Sequence, residues 1–270
     1  MEILGYLCAA LMGLALGMIG GGGSILTVPI LVYLFGVDPV HAAAYSLFIV
    51  GLTALVGGLG HLRMGQVDQR SVFAFGLPSI FGVAFTRRFI VPALPDPLLQ
   101  VGAWRIGLDP VLLLLFAVLM LLAARQMLRA AEPADGAPSD VPANGGGLAL
   151  RGLLTGVATS LVGAGGGFLI VPALMAFARL PMKKAVGTSL TIIALNGLIG
   201  AASDPHMAQH PDWTLILVVA GIAIAGILVG SVLGHRVPNE RLKPAFGWTL
   251  LIVGTSILLR ELWGLTHGAT

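Results

Sequence analysis

Two glycine-rich stretches have the residue types and spacing best suited to chemistry: GMIGGGGSILTVPIL at residues 17–31 and SLVGAGGGFLIVPALM at residues 160–175. Glycine loses more conformational freedom on folding than any other residue and is a poor helix former. A run of four at residues 20–23 therefore indicates a backbone that must come close to another group. Each run leads into a short apolar segment, and a helix N-terminus offers about four unpaired N–H groups and a partial positive charge. The pattern predicts an anion site made largely of backbone.

Hydroxyl and amide side chains that could complete this site lie on the apolar segments that follow. Ser46 and Ser189 occupy equivalent positions after the two glycine runs, and a buried amide at Asn196 would need hydrogen-bond partners. The predicted substrate-binding residues are Gly21, Gly22, Gly23, Ser24, Ser46, Gly165, Gly166, Gly167, Ser189, Thr191 and Asn196. The alternative is structural: small residues let membrane helices pack closely, and Ser or Thr hydroxyls often bond to their own helix.

Other chemistries have weaker support in the sequence. Arg87 and Arg88 end an apolar segment and are expected to snorkel to the membrane surface, with an anion-attracting vestibule as the alternative. The segment DPHMAQHPD at residues 204–212 places two histidines four residues apart between two aspartates, but prolines interrupt this zinc-like spacing. No nucleophile or phosphate-loop motif is present. We therefore expect no enzyme activity, no metal site and no cofactor.

The elements that must position these residues are membrane helices. Hydrophobic residues make up 57% of the chain and charged residues only 10%, whereas a soluble domain has about 25% charged residues. Such a composition predicts an all-α integral membrane protein, a polytopic helical bundle in the lipid bilayer, and gives no sign of nucleic-acid binding. The predicted apolar segments are 3–18, 24–36, 41–60, 71–91, 109–128, 148–162, 168–179, 184–203, 213–234 and 243–263. The first is expected to be retained rather than cleaved as a signal peptide.

The two halves of the chain are related by an internal repeat. At an offset of 143 positions, residues 20–57 align without a gap to residues 163–200, and 14 of the 38 positions are identical. Pro29 and Pro172 match, as do Ser46 and Ser189. We therefore predict a first membrane repeat at 1–129, a flexible linker at 130–147 and a second repeat at 148–270.

The loop charges predict the orientation of the repeats. Placing the loops that follow segments three, five, seven and nine in the cytoplasm puts 11 of the 15 Lys and Arg residues on that side. The loop after segment two then faces out, while its repeat partner after segment seven faces in. The repeats are therefore predicted to be inverted, and each contains a short helix broken at the glycines, as is common in secondary transporters.

The quoted stretches, together with KKAVGTSLTIIALNGLIGA at residues 183–201, resemble the TauE/SafE family of sulfite exporters (TSUP). The resemblance covers essentially the whole chain. It implies a multi-pass bacterial inner-membrane protein that handles sulfite, an organosulfonate or another sulfur oxyanion. A thiosulfate branch of the family that uses cysteines is not expected, since the only thiol is Cys8, outside the motifs.

Together, residues and resemblance predict a secondary transporter, and an exporter in direction, for a small sulfur-containing oxyanion. An anion channel on the same scaffold is the alternative, and saturable, trans-stimulated flux would distinguish the carrier. The sequence leaves open the identity of the anion, the coupling ion and a homo-oligomeric assembly.

Overall fold

The computed structural model describes residues 2–21, 23–95, 99–101, 104–106, 108–129, 145–162, 167–208, 211–237 and 239–267. In chain order the helices are α1 (Glu2–Ile19), α2 (Ser24–Tyr33), α3 (Pro39–Arg63), α4 (Gln69–Ala93), α5 (Leu108–Arg129), α6 (Gly145–Val162), α7 (Gly167–Phe177), α8 (Met182–Ser203), α9 (Trp213–Arg236) and α10 (Asn239–His267). A short antiparallel hairpin of β1 (Leu99–Val101) and β2 (Trp104–Ile106) lies between α4 and α5. All ten predicted segments are helical, which confirms the all-α class. Helix α6 begins at Gly145, so the last residues of the predicted linker are helical; residues 130–144 lie outside the described part.

Among the residues that the structure describes, five helices are long and apolar enough to cross a membrane: α3, α4, α5, α8 and α9. Helices α3 and α8 are the most buried of these and form the centre of the bundle. Large apolar side chains such as Phe81, Leu217 and Ile252 are exposed on the outer helices. An apolar exterior around a closely packed interior is the arrangement that lipid requires. The protein is therefore a multi-pass membrane protein.

Aspartate residues fix where three helices begin. The carboxylates of Asp38, Asp68 and Asp212 each accept a hydrogen bond from the backbone N–H three residues later, at 3.1, 2.8 and 3.0 Å. Aspartate is a favoured N-cap because its oxygen satisfies a free N–H and its charge complements the helix dipole. These caps set the start of α3, α4 and α9 where the chain re-enters the bundle.

The short helix α2 folds back along α1 instead of continuing in line with it. A side chain at Gly23 would collide with the carbonyl of Met12, and the rings of Tyr6 and Phe35 lie 5.2 Å apart at the other end of the pair. Helices α1 and α2 therefore form a helical hairpin with the glycine run at its tip.

Helices α6 and α7 form a second hairpin. The guanidinium of Arg151, near the start of α6, lies 4.0 Å from the ring centre of Phe177, the last residue of α7. The far end of α7 thus returns to the beginning of α6. Residues 163–166, which join these helices, lie outside the described part.

The two hairpins pack on the bundle through matching glycine contacts. The contacts are Gly13–Ala223 and Gly226–Ala10 between α1 and α9, and Gly156–Ser79 and Gly82–Leu153 between α6 and α4. In both sets the glycine lies against the backbone of its neighbour, which brings the helices close together. Gly13 and Gly17 of α1 contact Ala223 and Ile227 of α9 in that order, so α1 runs parallel to α9. Gly152 and Gly156 of α6 contact Phe75 and Ser79 of α4 in that order, so α6 runs parallel to α4.

The central helices α3 and α8 cross each other in opposite directions. Gly200 near the end of α8 contacts Leu47 near the start of α3, and Gly57 further along α3 contacts Leu190. Gly51 and Gly197 meet between these points and bring the two backbones together. Helix α8 of this pair contacts both hairpins, since Gly20 lies against Val186 and Gly167 lies against Ile193.

Candidate functional site

The tips of the two hairpins meet inside the bundle. A side chain on Gly21 would collide with the carbonyl oxygen of Gly167, the first residue of α7. A Cβ on Gly167 would lie 2.9 Å from the Cα of Gly21 and 2.8 Å from the Oγ of Ser24. Glycine is required at both positions because the two backbones are in direct contact. The N-termini of α2 and α7, one from each half, are therefore neighbours.

Gly20 turns the chain at the end of α1, and α8 holds this turn in place. Gly20 has a φ of +74°, a conformation that residues with a side chain rarely adopt. The hydroxyl of Ser189 donates to the Gly20 carbonyl at 3.1 Å and to the Val186 carbonyl of its own helix at 2.8 Å. Ser189 thus fixes the first tip to the central helix.

The N-terminus of α2 is capped by backbone alone. Its N-cap is Gly23, so no side chain bonds to the first N–H groups of the helix. Ser24 instead donates its hydroxyl to the carbonyl of Gly21 at 2.8 Å, and it is fully buried. The predicted residues Gly21, Ser24 and Ser189 therefore shape one tip, where uncapped helical N–H groups can attract an anion.

The structure places the remaining predicted residues in different settings. Ser46 and Thr191 donate their hydroxyls to carbonyls of their own helices, at 3.2 and 3.1 Å, which is the structural alternative that the sequence left open. Gly23 packs against α1. The predicted residues Gly22, Gly165 and Gly166 lie outside the described part.

Asn196 links the centre of α8 to α4. Its Nδ2 donates to the hydroxyl of Ser79 at 2.7 Å, and the residue is completely buried. Its Oδ1 has no hydrogen-bond partner within the described ranges. An open carbonyl oxygen in the interior is a place where a polar ligand or water can bind.

Arg87 is a functional candidate for which the sequence offered an anion-attracting role only as the alternative to snorkelling. The expectation that it snorkels is wrong: Arg87 is only 1% exposed, and its Nη1 donates to Oδ2 of Asp204 at 2.9 Å. Arg88, the next residue, is exposed. The sequence signal was the apolar stretch FIVPA that follows the two arginines, because it continues α4 to Ala93 and leaves Arg87 more than a turn from the helix end.

Two histidines lie beside this pair at the same end of the bundle. The Asp204 Oδ1 accepts from the backbone N–H of His206 at 2.9 Å and lies 2.9 Å from its ring Nδ1. The rings of His206 and His41 are 5.3 Å apart, and His41 is bonded to Asp38. Partial burial acts to raise the pKa of Asp38, but hydrogen bonds from the ring and backbone of His41 outweigh it and hold that pKa below its usual value.

Metal binding has no geometric support in the described part of the chain, where no three His, Cys, Asp or Glu side chains are close enough to share an ion. Within the zinc-like segment, Asp204 bonds to Arg87 and Asp212 caps α9. His210 lies outside the described residues.

A small cavity lies beside the first tip, on the side where α8 begins. Val186, which contacts Gly20, forms part of its wall. Other lining residues are Gly17, His61, Gln66, Lys183 and Ser231. Its lining is mostly apolar, with polar groups from side chains such as His61, Gln66 and Lys183. Its volume of about 10 Å³ leaves room for one water molecule at most.

Comparison with known proteins identifies a matching family and several similar sequences. A family model described as Sulfite exporter TauE/SafE matches residues 5–257. A probable membrane transporter protein of Xylella fastidiosa is 34% identical over 266 residues, which cover 93% of this chain and 92% of that protein. The probable membrane transporter protein YunE of Bacillus subtilis is 25% identical over 276 residues, 94% of this chain and 98% of its own length. No solved structure matches the chain.

The match to the family model covers nearly the entire sequence, and these relatives align over almost their full lengths. The five candidate membrane-spanning helices lie within residues 5–257, which the family model matches. The chain therefore belongs to the TauE/SafE sulfite exporter family and is a multi-pass membrane transporter.

Proposed function

We propose that this protein is a secondary transporter that exports a small sulfur-containing oxyanion, such as sulfite or an organosulfonate, across the bacterial inner membrane. The observation that carries the proposal is the contact between the two hairpin tips, where Gly21 lies against Gly167. Two helix N-termini meeting inside a membrane bundle give a site with positive potential and no fixed charge. Such a site suits an anion that must bind and then leave.

The two halves are inferred to be inverted repeats, 1–129 and 148–270, joined by the linker at 130–147. The equivalent helices α3 and α8 run antiparallel, which supports opposite orientations in the membrane. The paired contacts Gly82–Leu153 and Gly226–Ala10 support a two-fold relation, because Ala10 and Leu153 are equivalent at the offset of the repeat. Alternating access then follows if one hairpin opens toward each side.

The direction of transport rests on charge. With the Lys- and Arg-rich loops in the cytoplasm, Lys183 and the cavity beside Gly20 lie on the inner side, and Arg87 lies toward the outer side. A monovalent anion that leaves a cell gains about 2.3 kcal/mol per 100 mV of inside-negative potential. Export therefore requires no coupled proton.

The experiment measures sulfite flux in proteoliposomes that contain purified wild type, Ser24→Ala or Ser189→Ala. We expect saturable, trans-stimulated flux in wild type and a threefold to tenfold lower Vmax/KM in each variant, since a lost hydrogen bond is worth about 0.5–1.5 kcal/mol. Both hydroxyls hold the first tip. Alanine preserves the volume of the buried site, which keeps the fold intact.

Thr155→Ala is the matched control, because its exposed hydroxyl also donates to a carbonyl of its own helix. Its flux should equal that of wild type. Undiminished flux in well-folded Ser24→Ala and Ser189→Ala would reject the tip as the site. Flux that neither saturates nor responds to anion on the far side would identify a channel.

A further inference from the structure

Arg87 lies on a polar line, which is the face of α4 where three successive turns make polar contacts with neighbouring elements. The residues of this line are Ser79, Val83 and Arg87, spaced one helical turn apart. Ser79 accepts a hydrogen bond from Asn196 of α8, and the carbonyl of Val83 accepts from Ser160 of α6 at 3.2 Å. Arg87 therefore faces the interior between α4, α6 and α8.

The backbone of α4 changes locally at this position. Residues Thr86–Ile90 form a π-helical turn that includes Arg87. Such turns insert a residue into an α-helix and are frequent at functional sites, because they redirect the side chains that they carry. The turn brings the guanidinium inward, while Arg88 remains exposed.

One edge of the Arg87 guanidinium is unoccupied. Only Nη1 bonds to Asp204; Nε and Nη2 have no hydrogen-bond partner among the residues that the structure describes. The N–H bonds of Nε and Nη2 point the same way along one edge of the planar group. This edge is a fork that binds two oxygens of a carboxylate, sulfonate or similar oxyanion at once.

Leaving two buried N–H donors of Arg87 without a partner among the described residues is unfavourable, so a structural role does not account for this arrangement. Burying unpaired donors opposes folding, and ionisable groups inside membranes are usually kept for a transport path. The ion pair with Asp204 uses one side of the guanidinium and leaves the fork open. The backbone N–H and the ring Nδ1 of His206 also bond to the carboxylate of Asp204. Asp204 therefore neutralises less of the charge on Arg87 than it would in an isolated ion pair.

Other open polar atoms lie near the same line. Asn196 Oδ1 and Thr86 Oγ1 are buried and likewise lack partners within the described ranges. Ser189, at the first tip, precedes Asn196 on α8, and Asp204 follows the end of that helix. At about 1.5 Å per residue, Asp204 lies about 22 Å along α8 from Ser189. Arg87 thus marks a place on the path distinct from the first tip.

We propose that Arg87 binds the transported oxyanion through its Nε–Nη2 edge, at an outer subsite between α4, α6 and α8. This inference rests on the proposed function, since it assigns a second position to the same anion. Asp204 holds the guanidinium in place while the subsite is empty. On export, the anion passes from the glycine tips to Arg87 before it is released.

The test compares Arg87→Lys with the matched control Arg88→Lys. Lysine keeps the positive charge but loses the planar fork, so sulfite titrations followed by thermal shift should give a tenfold to hundredfold higher apparent Kd for Arg87→Lys only. In proteoliposomes the KM should rise similarly with a smaller change in Vmax. A purely structural Arg87 would lower yield and Vmax and leave KM unchanged, which would overturn the proposal.

Asp204→Asn is the second variant, in case Arg87→Lys does not fold. Asparagine still accepts from Arg87 but removes the competing charge, so sulfite should bind about tenfold more tightly, the size of one charge-assisted hydrogen bond. Unchanged or weaker binding overturns the proposal, as does the absence of any sulfite-dependent shift in wild type. Titration with phosphatidylglycerol tests a lipid phosphate instead, and occupancy by lipid with no response to sulfite also overturns it.

These outcomes separate the two proposals. Sulfite binding that depends on Arg87 in a protein with no sulfite flux rejects the proposed transport and retains the site. Flux that is sensitive to Ser189→Ala but insensitive to Arg87→Lys retains the proposed function and rejects the subsite.

Discussion

At the scale of single residues, the candidate anion-binding groups are the backbone N–H groups at the tips and the buried guanidinium of Arg87. Ser24 and Ser189 donate their hydroxyl protons to carbonyls of the glycine turn. They therefore position the backbone rather than donate directly to a ligand. Gly20 and Gly21 provide the turn and the close approach. Arg87 adds the charge that the tips lack. The side chains nearest the tip therefore act mainly by holding the main chain in place.

Asp38 gives a prediction about pH. Its pKa is lowered in the folded protein, so its ionised form stabilises the fold above the unfolded value of about 3.9 and this contribution is lost as the pH falls through the lower folded pKa. Asp38→Asn keeps an N-cap acceptor but cannot ionise. We expect its melting temperature to fall less steeply than that of wild type between about pH 5 and about pH 3.

Thermal unfolding in detergent at several pH values measures this difference. At pH 7 wild type should be slightly more stable than Asp38→Asn, because the ionised carboxylate adds to a cap that both proteins retain, and the two should converge as the pH falls. Parallel pH curves for wild type and Asp38→Asn would show that the bond with His41 adds nothing to stability. The effect is expected to be small, since the Asp38 side chain is 54% exposed.

At the scale of helices, glycine has two separate uses. Within the tips it allows the backbones of α2 and α7 to meet, and along α1, α4, α6 and α9 it allows helices to pack directly on each other. Pro29 and Pro172 lie inside the two short helices, where each removes one N–H from the helix ladder. The short helices thus remain anchored by tertiary contacts rather than by length.

Packing along α1 can be tested with Gly13→Leu. A side chain at Gly13 would collide with the carbonyl of Ala223, so we expect a loss of about 1–3 kcal/mol in stability and a lower yield of folded protein. Gly221→Ala on α9 is the control, because nothing lies within 4 Å of a Cβ at that position. Thermal unfolding and size-exclusion chromatography measure both. Equal stability of the two variants would show that α1 can move away from α9 without penalty.

At the scale of the whole molecule, two hairpins enter from the two ends of the bundle, and their tips meet beside α8. The first hairpin packs on α9 and the second on α4 in the same way. This correspondence supports the proposed inverted repeats, whose two-fold axis would run across the helices. Inverted halves would give the two sides of the membrane similar but unequal sites, one beside Lys183 and one at Arg87.

Orientation can be tested at Val40 and Lys183, which are equivalent at the offset of the repeat and lie near the starts of α3 and α8. In a Cys8→Ser background, Val40→Cys should react with a membrane-impermeant maleimide added to intact cells. Lys183→Cys should react only after the cells are permeabilised. Labelling of both positions from the same side would reject inverted repeats.

The sequence by itself determined the ten helical segments, the membrane environment and the repeated glycine motif. These features are local: apolar length selects a membrane helix, and a run of glycines stands out in any apolar segment. The meeting of the glycine tips was also predictable, since a duplicated motif beside two short helices indicates a shared centre. In the structure, Gly21 contacts Gly167 and brings the two copies of the motif together.

Only the tertiary structure decided which polar groups are buried and with what partners. Arg87 pairs with Asp204 and Ser79 with Asn196, and each pair is separated by 117 residues. Sequence spacing cannot specify such pairs, because they depend on the rotation of α4 against α8 and on the π-helical turn that directs Arg87 inward. Likewise, whether a hydroxyl on a helix bonds only to its own helix or also to a neighbouring element depends on what packs against it. Burial is a property of neighbouring helices, and for this reason the sequence placed Arg87 at the surface while the fold encloses it.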